Sequence, residues 1–158
     1  MKTLVAYYSR SGRTRKVAET LARLLQADLE EIIDCKDRSG FLGYLTAGRD
    51  ASLNRLTKLK SLTKDPSSYD LVVVGTPIWA WNVSPPVRTY LTENKDKIRK
   101  VAFYCTMGGS SEGKAFKSME EACGMAPAAT LTLTELEASS KDLEEKVARF
   151  VQDIRSLA

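Results

Sequence analysis

The stretch Thr3-Leu-Val-Ala-Tyr-Tyr-Ser-Arg-Ser-Gly-Arg-Thr14 decides the fold of this 158-residue chain. Its first six residues form an apolar run of strand length, and the serines and the glycine that follow are turn residues. Apolar side chains then recur at helical spacing, at Val17, Leu21, Leu24 and Leu25. The segment therefore predicts a buried strand, a tight turn and a helix.

The remainder of the chain continues this alternation of strands and helices. Four further apolar runs predict strands at 29–33, 70–75, 101–105 and 130–136. Helical patterns fall between them, including a short helix at 42–54 followed by a basic loop, one at 112–123 that stops at Gly124, and a last helix from 139 or 140. Five strands alternating with helices predict an α/β fold with an open, doubly wound parallel sheet. The length suits a single domain spanning residues 1–158.

Composition excludes several classes of protein. Apolar residues make up 43% of the chain and charged residues 28%, which fits a folded globular domain rather than a disordered one. The chain has no histidine, so Ser-His-Asp and Cys-His nucleophile systems and histidine-ligated metals are excluded. The three cysteines form no CxxC pair, so we expect no metal site and no disulfide, and we expect Cys35, Cys105 and Cys123 to be buried and reduced.

The positive charge is concentrated in one segment. Residues 36–64 carry seven lysines and arginines against two aspartates, a net +5, whereas the whole chain carries +4. No nucleic-acid recognition motif accompanies this charge, so we predict a solvated basic face and no nucleic-acid partner. No apolar run reaches the roughly 18 residues of a membrane span and no leader pattern is visible, which predicts a soluble, cytoplasmic protein.

Three loops are candidates for a binding site, because ligands of doubly wound sheets lie beyond the carboxyl ends of the strands. The first loop, Ser9 to Thr14, has hydroxyls and a glycine before a helix, which suits a phosphate. A turn capped by a serine would have the same sequence pattern. The second loop, which contains Pro77 to Trp81, offers two indoles to a planar ring, although one of them could pack in the core. The third, 106–111, lets backbone N–H groups approach a ligand. Together they predict a site for a phosphorylated flat heterocycle. The candidate residues are Ser9, Arg10, Ser11, Gly12, Arg13 and Thr14; Pro77, Ile78, Trp79, Ala80 and Trp81; and Thr106, Met107, Gly108 and Gly109.

The first loop resembles the phosphate loop of the flavodoxin-like family, Ser/Thr-x-Thr-Gly-x-Thr, from which only Ser11 departs. The resemblance implies a doubly wound flavodoxin-like sandwich, with a five-stranded parallel sheet in the order 2-1-3-4-5 and helices on both faces. It implies FMN as the cofactor, with its phosphate held by Ser9 to Thr14. The isoalloxazine would lie between the segments Pro77 to Trp81 and Thr106 to Gly109. We expect Trp79 to stack on the ring and Trp81 to pack in the protein.

One departure from the family bears on activity. Electron-carrying flavodoxins usually place a second aromatic residue and nearby acids after the fourth strand, whereas this chain has Met107 and no charge before Glu112. The outer face of the flavin would then be open to a substrate. We therefore expect an enzyme, an FMN-dependent oxidoreductase that reduces a quinone-like or other small acceptor with NAD(P)H. The alternative is a flavodoxin-type electron-transfer protein that shuttles electrons between redox partner proteins. A homodimer and the choice between NADH and NADPH stay open.

Overall fold

The computed structural model of the chain describes residues 1–109 and 111–157. Its strands are β1 Thr3–Tyr7, β2 Asp28–Glu31, β3 Leu71–Trp79, β4 Asn82–Val83, β5 Val101–Met107 and β6 Thr130–Thr134. Its helices are α1 Arg13–Leu25, α2 Gly40–Ser52, α3 Pro85–Asn94, α4 Ala115–Cys123, α5 Glu135–Ala138 and α6 Asp142–Ser156, with a 3-10 turn at Pro66–Ser68. Ser110, which belongs to the third candidate loop, lies outside the described residues.

The five long strands are parallel and follow the order β2-β1-β3-β5-β6, which confirms the predicted doubly wound sheet. Strand order reverses between β1 and β3, so the crevice for a ligand is expected at their carboxyl ends. The short strand β4 was not predicted. It pairs antiparallel with the end of β3, with Ile78 opposite Val83 and Trp79 opposite Asn82, and makes a hairpin beside that crevice.

Apolar clusters cover both faces of the sheet. Along β3, Leu71 and Val73 pack in a cluster with α1 and α6, whereas Val72 and Val74 pack in a second cluster with α3. Successive strand residues point to opposite faces, so this alternation is what an unbroken apolar run produces in a doubly covered parallel sheet. Among the described residues, no helix combines the length and apolarity needed to cross a membrane.

Several boundaries differ from the sequence prediction. Strand β3 continues four residues beyond the predicted end at Gly75, because Thr76 and Pro77 still pair with β5 and the next two residues pair with β4. Strand β6 ends at Thr134 rather than 136, because Thr134 caps α5 with reciprocal hydrogen bonds to Glu137. The predicted helix at 112–123 begins at Ala115, and α6 begins at Asp142. Gly124 ends α4 in the left-handed conformation, as expected.

The prediction that the cysteines are buried is right for two of the three residues. Cys105 and Cys123 are buried, and burial raises the pKa of the Cys105 thiol to about 12. The prediction is wrong for Cys35, which is exposed. The chain has left the sheet at this point, and Cys35 lies on an outer segment where its N–H donates to the carbonyl of Lys58. In the described residues, no group of three or more His, Cys, Asp or Glu side chains is placed to hold a metal ion.

Candidate functional site

The three candidate loops meet in one cleft of about 610 Å³ at the carboxyl edge of the sheet. Helix α2 and the start of α5 complete its walls. Three of the predicted residues, Ser9, Gly12 and Thr14, are not among the residues that line the cleft. The residues that line the cleft are Arg10, Ser11, Arg13, Tyr44, Leu45, Ala47, Gly48, Pro77, Ile78, Trp79, Ala80, Trp81, Thr106, Met107, Gly108, Gly109, Ser111 and Glu135.

The loop between β1 and α1 presents the amino end of α1 to the cleft. Gly12 precedes the helix with a φ of 95°, a left-handed conformation that favours glycine, and its N–H donates to Ser9 Oγ at 3.0 Å. Gly12 is the N-cap residue and has no side chain that could accept a hydrogen bond from the first turn of the helix, and that turn contains no acidic residue. The N–H groups and the helix dipole at this end therefore favour an anion.

Thr14 links this loop to the loop after β5. Its side chain is buried, and its Oγ1 lies 2.8 Å from Thr106 Oγ1. Its carbonyl accepts a 3.0 Å hydrogen bond from the hydroxyl of Tyr104, a fully buried residue of β5. Two contacts thus hold the first turn of α1 against β5, and the geometry of one loop depends on the other.

The two arginines of the first loop are engaged by neighbouring parts of the protein. Arg10 donates to the carbonyls of Arg38 and Gly40 at 3.0 and 3.2 Å, which ties the loop to the start of α2. Arg13 forms a 3.0 Å ion pair with Glu135. Sequence analysis missed Glu135 because the fifth strand was predicted to run to 136, whereas β6 ends at Thr134 and leaves Glu135 at the carboxyl edge of the sheet. The carboxylate adds a negative charge to a cleft whose predicted residues carry only the positive charges of Arg10 and Arg13.

The β3–β4 hairpin turns through two residues in the left-handed region, Ala80 with φ 48° and Trp81 with φ 56°. Positive φ at both central residues is typical of a type I′ turn, but alanine and tryptophan adopt it at a cost. Neighbouring groups hold the turn in place. The carbonyl of Trp81 accepts from the N–H of Lys114 at 3.1 Å, and the buried Asn82 side chain donates to Ala51 and Asn54.

The two indoles of this hairpin have different surroundings. Trp79 is partly buried and makes an edge contact with Tyr8, with ring centroids 5.5 Å apart, and the Arg38 guanidinium lies 5.7 Å from its ring centre. Trp81 is 67% exposed, so the expectation that it packs in the protein is wrong. The left-handed turn places its side chain at the tip of the hairpin. Both indoles line the cleft.

Helix α2 forms a wall of the cleft that sequence analysis did not assign to the site. It contributes Tyr44, Leu45, Ala47 and Gly48 to the lining. The helix lies close to the preceding segment at Gly43, where an added Cβ would lie 2.2 Å from the carbonyl carbon of Arg38. The sequence pattern predicted a helix here, but the pattern alone carried no information about the element that it would face.

A buried ionic cluster supports α2 and the cleft wall. Arg38 is 4% exposed and pairs with Asp34 at 2.6 Å and with Asp50 at 3.0 Å, so the predicted solvated basic face is wrong at this position. Burial alone would raise the pKa of Asp50, but hydrogen bonds from Lys36, Arg38 and Arg49 hold it well below its usual range. The cluster fixes the chain on both sides of α2.

Three features meet where strand order reverses between β1 and β3: a helix amino end that favours an anion, two indoles and a glycine-containing loop. Counted over the five parallel strands alone, the sheet has the order 2-1-3-4-5. This arrangement defines the flavodoxin-like class of α/β proteins. The flavodoxin family model matches residues 2–41 and 46–153, and the chain belongs to this family.

Solved structures agree with this assignment. A flavoprotein from Lactobacillus acidophilus NCFM, solved in complex with FMN, is 25% identical with a TM-score of 0.73, over 87% of this chain and 96% of its own. Oxidised Flavodoxin 2 from Bacillus cereus is 16% identical with a TM-score of 0.61, over 99% of each chain. Rubredoxin oxygen:oxidoreductase from Desulfovibrio gigas is 18% identical with a TM-score of 0.63, over 99% of this chain and 36% of its own. No curated relative matches the chain.

Proposed function

We propose that residues 1–158 form a single FMN-binding domain that reduces a quinone-like or other small acceptor with NAD(P)H. The observation that carries this proposal is the convergence of the α1 amino end, the two indoles and the glycine-containing loop on one cleft. The FMN complex of the Lactobacillus flavoprotein, which is 25% identical, supports FMN as the cofactor.

The residues of the cleft fit FMN. A phosphate would be held at the amino end of α1 by Ser9, Arg10, Ser11, Gly12, Arg13 and Thr14, where the helix has no side-chain cap of its own. A planar ring would lie between the segments Pro77 to Trp81 and Thr106 to Gly109, whose residues line the same cleft. A bound flavin would supply the redox chemistry, whereas the protein binds it, orients it and sets its electrostatic surroundings.

The chain's own residues would then shape the space beside the flavin. Tyr44 and Leu45 add an apolar wall that is separate from the two ring-binding segments. Met107, the last residue of β5, contributes an apolar side chain to the lining near the place where a carrier flavodoxin would have an aromatic residue. These apolar walls favour a flat apolar acceptor.

Turnover by the isolated protein tests this function. The FMN-loaded protein should oxidise NADH or NADPH in the presence of a soluble naphthoquinone such as menadione, without any added reductase. A protein that binds FMN but turns over neither nicotinamide would rule out the reductase. It would instead support an electron-transfer protein that requires redox partner proteins on both sides.

Thr14 provides a test of the phosphate site. We expect Thr14→Ala to weaken FMN binding by about 1 to 3 kcal/mol, because a hydrogen bond to a charged group is lost. Riboflavin, which has no phosphate, should be weakened less. Both affinities can be measured by titrating the apoprotein and following flavin fluorescence.

The control for this experiment is Thr20→Ala. Thr20 lies on the same helix, and its hydroxyl donates to the carbonyl of Lys16 instead of facing the loops. Thr20→Ala should leave the affinities for FMN and for riboflavin unchanged. If Thr14→Ala weakens FMN and riboflavin equally, Thr14 acts through its contact with Thr106 and not through the phosphate.

The two tryptophans can be separated by fluorescence and stability together. We expect Trp79→Ala to restore the fluorescence of bound flavin and to weaken FMN by about 0.5 to 1.5 kcal/mol beyond the loss of buried area. It should also lower the free energy of unfolding, because the indole packs against Tyr8. Trp81→Ala should leave unfolding unchanged, since that side chain is exposed. A larger recovery of fluorescence in Trp81→Ala would assign the stacking to the hairpin tip.

A further inference from the structure

Helix α2 turns its small residues inward and its large apolar residues outward. The buried residues of the helix are Gly43, Ala47, Asp50 and Ala51. Phe41 and Leu42 are 75% and 76% exposed, and Leu45 is 50% exposed. A helix on the surface of a globular protein normally has the opposite arrangement. The exposed side chains are therefore available for contact with something outside the chain.

These residues form a continuous surface with a positive charge. Leu42, Leu45 and Arg49 follow one another at intervals of three and four residues and so share a stripe, with Phe41 beside it. We call the set Phe41, Leu42, Leu45 and Arg49 the outer face of α2. The only acid in the helix is Asp50, which is buried, so the outer face carries no negative charge.

The charges around the outer face are also mainly positive. The side chains of Lys36, Arg49 and Arg55 are 42%, 51% and 51% exposed, and all three share the carboxylate of Asp50 with the buried Arg38. Four cations thus face Asp50 and Asp34, which leaves an excess of positive charge. Asp37, which precedes α2, is exposed and opposes it with one negative charge.

The outer face borders the mouth of the cleft. Leu45 belongs to both, and Tyr44, 62% exposed, extends the apolar surface into the cleft. Trp81, 67% exposed, lines the cleft from the hairpin. An object that covers the outer face would therefore lie next to the opening of the flavin site.

The charge selects among possible occupants. A second copy of the chain, docked through the same face, would bring Arg49 and the neighbouring cations of the two copies together, and like charges repel. A small ligand in the cleft would not reach Phe41 and Leu42, which are not part of its lining. An anionic lipid surface accepts projecting aromatic and aliphatic side chains and attracts the cations beside them.

We propose that the outer face of α2 docks the protein onto an anionic membrane surface. Phe41, Leu42 and Leu45 insert among the headgroups and upper acyl chains, and Arg49 with its neighbours contacts the anionic headgroups. Docking in this way turns the cleft mouth toward the lipid, where apolar acceptors dissolve. That consequence rests on the proposed function, whereas the docking itself does not.

Vesicle flotation of the full-length protein tests the docking. We expect binding to phosphatidylcholine vesicles that contain about 30% phosphatidylglycerol, little binding to pure phosphatidylcholine, and release at high salt. The double variant Phe41→Ser/Leu42→Ser should lose about tenfold or more in partition, and Arg49→Gln about fivefold on anionic vesicles only. Leu157→Ser, which removes an exposed leucine from the end of α6, is the matched control and should bind like the unaltered protein.

Several results would overturn the proposal. These are failure of the unaltered protein to bind anionic vesicles, equal binding of Phe41→Ser/Leu42→Ser, and equal binding to neutral and anionic vesicles. A dimer in light scattering that Phe41→Ser/Leu42→Ser converts to a monomer would assign the outer face to a second copy.

Turnover of soluble menadione by this variant should stay unchanged, because neither residue lines the cleft. Vesicle binding therefore tests the docking, and menadione turnover tests the proposed function. Either proposal can fail while the other holds.

Discussion

Gly75→Ala is expected to destabilise the protein by about 3 kcal/mol or more. An added Cβ at Gly75 would lie 2.0 Å from Cζ of Tyr104, a fully buried ring. The ring cannot move aside freely, because its hydroxyl is bound to the carbonyl of Thr14. Urea unfolding followed by circular dichroism measures the loss. Because Thr14 lies in the first turn of α1, we also expect weaker FMN binding in any folded fraction.

A second substitution tests the stated cause. Tyr104→Leu alone should cost stability, since it removes a buried ring and its hydrogen bond. Combined with Gly75→Ala it should cost clearly less than the sum of the two, because the clash is gone. Additive losses would show that the Tyr104 ring is not the obstacle. Gly48→Ala is the control, since nothing lies within 4 Å of its added Cβ, and a helical alanine should stabilise by about 0.5 to 1 kcal/mol.

The parts of the site that could be predicted from the sequence are those that depend on local pattern and strand direction. The apolar runs at 3–8, 70–75 and 101–105 indicated parallel strands, and the carboxyl ends of those strands placed three loops in one cleft. Glu135 was missed although it follows the fifth parallel strand of the structure, which ends at Thr134. The apolar pattern predicted that the strand runs to 136, which placed Glu135 inside the strand, whereas the cap at Thr134 ends the strand one residue before it.

Other parts could not be predicted because they depend on contacts between distant residues. Ala80 and Trp81 carry no residue preference for a left-handed turn, and that turn is stabilised by contacts from Lys114, Ala51 and Asn54. Arg38 looked like one of several exposed cations until Asp34 and Asp50 were brought against it. Both cases arise from tertiary structure overriding local propensity.

Helix α2, whose large apolar residues face outward, shows that hydrophobic periodicity has the same limit as a predictor. Its spacing indicated a helix but not which side would face the protein. The inward side is set by Gly43, which comes so close to the Arg38 backbone that no larger residue fits, and by the charge of Asp50. Hydrophobicity alone would have turned Phe41 and Leu42 inward.

Asp50→Asn is expected to lower the free energy of unfolding by about 3 kcal/mol at pH 7. The substitution removes a buried carboxylate and leaves Arg38, 4% exposed, with Asp34 as its remaining acidic partner among the described residues. A buried cation with part of its compensation gone is costly. Asp37→Asn is the control, because that aspartate lies in the same segment but is exposed, and it should change stability little.

The acid dependence of stability distinguishes the charge of Asp50 from its shape. Hydrogen bonds from the surrounding cations hold the folded-state pKa of Asp50 well below its usual range, so the unfolded chain takes up the proton first as pH falls. Its contribution is therefore complete above the unfolded pKa of about 4 and declines as pH falls toward the folded value. Urea unfolding at neutral pH and near pH 3 should show the gap between the unaltered protein and Asp50→Asn shrinking in acid. A gap of the same size at both pH values would mean that Asp50 stabilises the cluster through packing and neutral hydrogen bonds rather than through its charge.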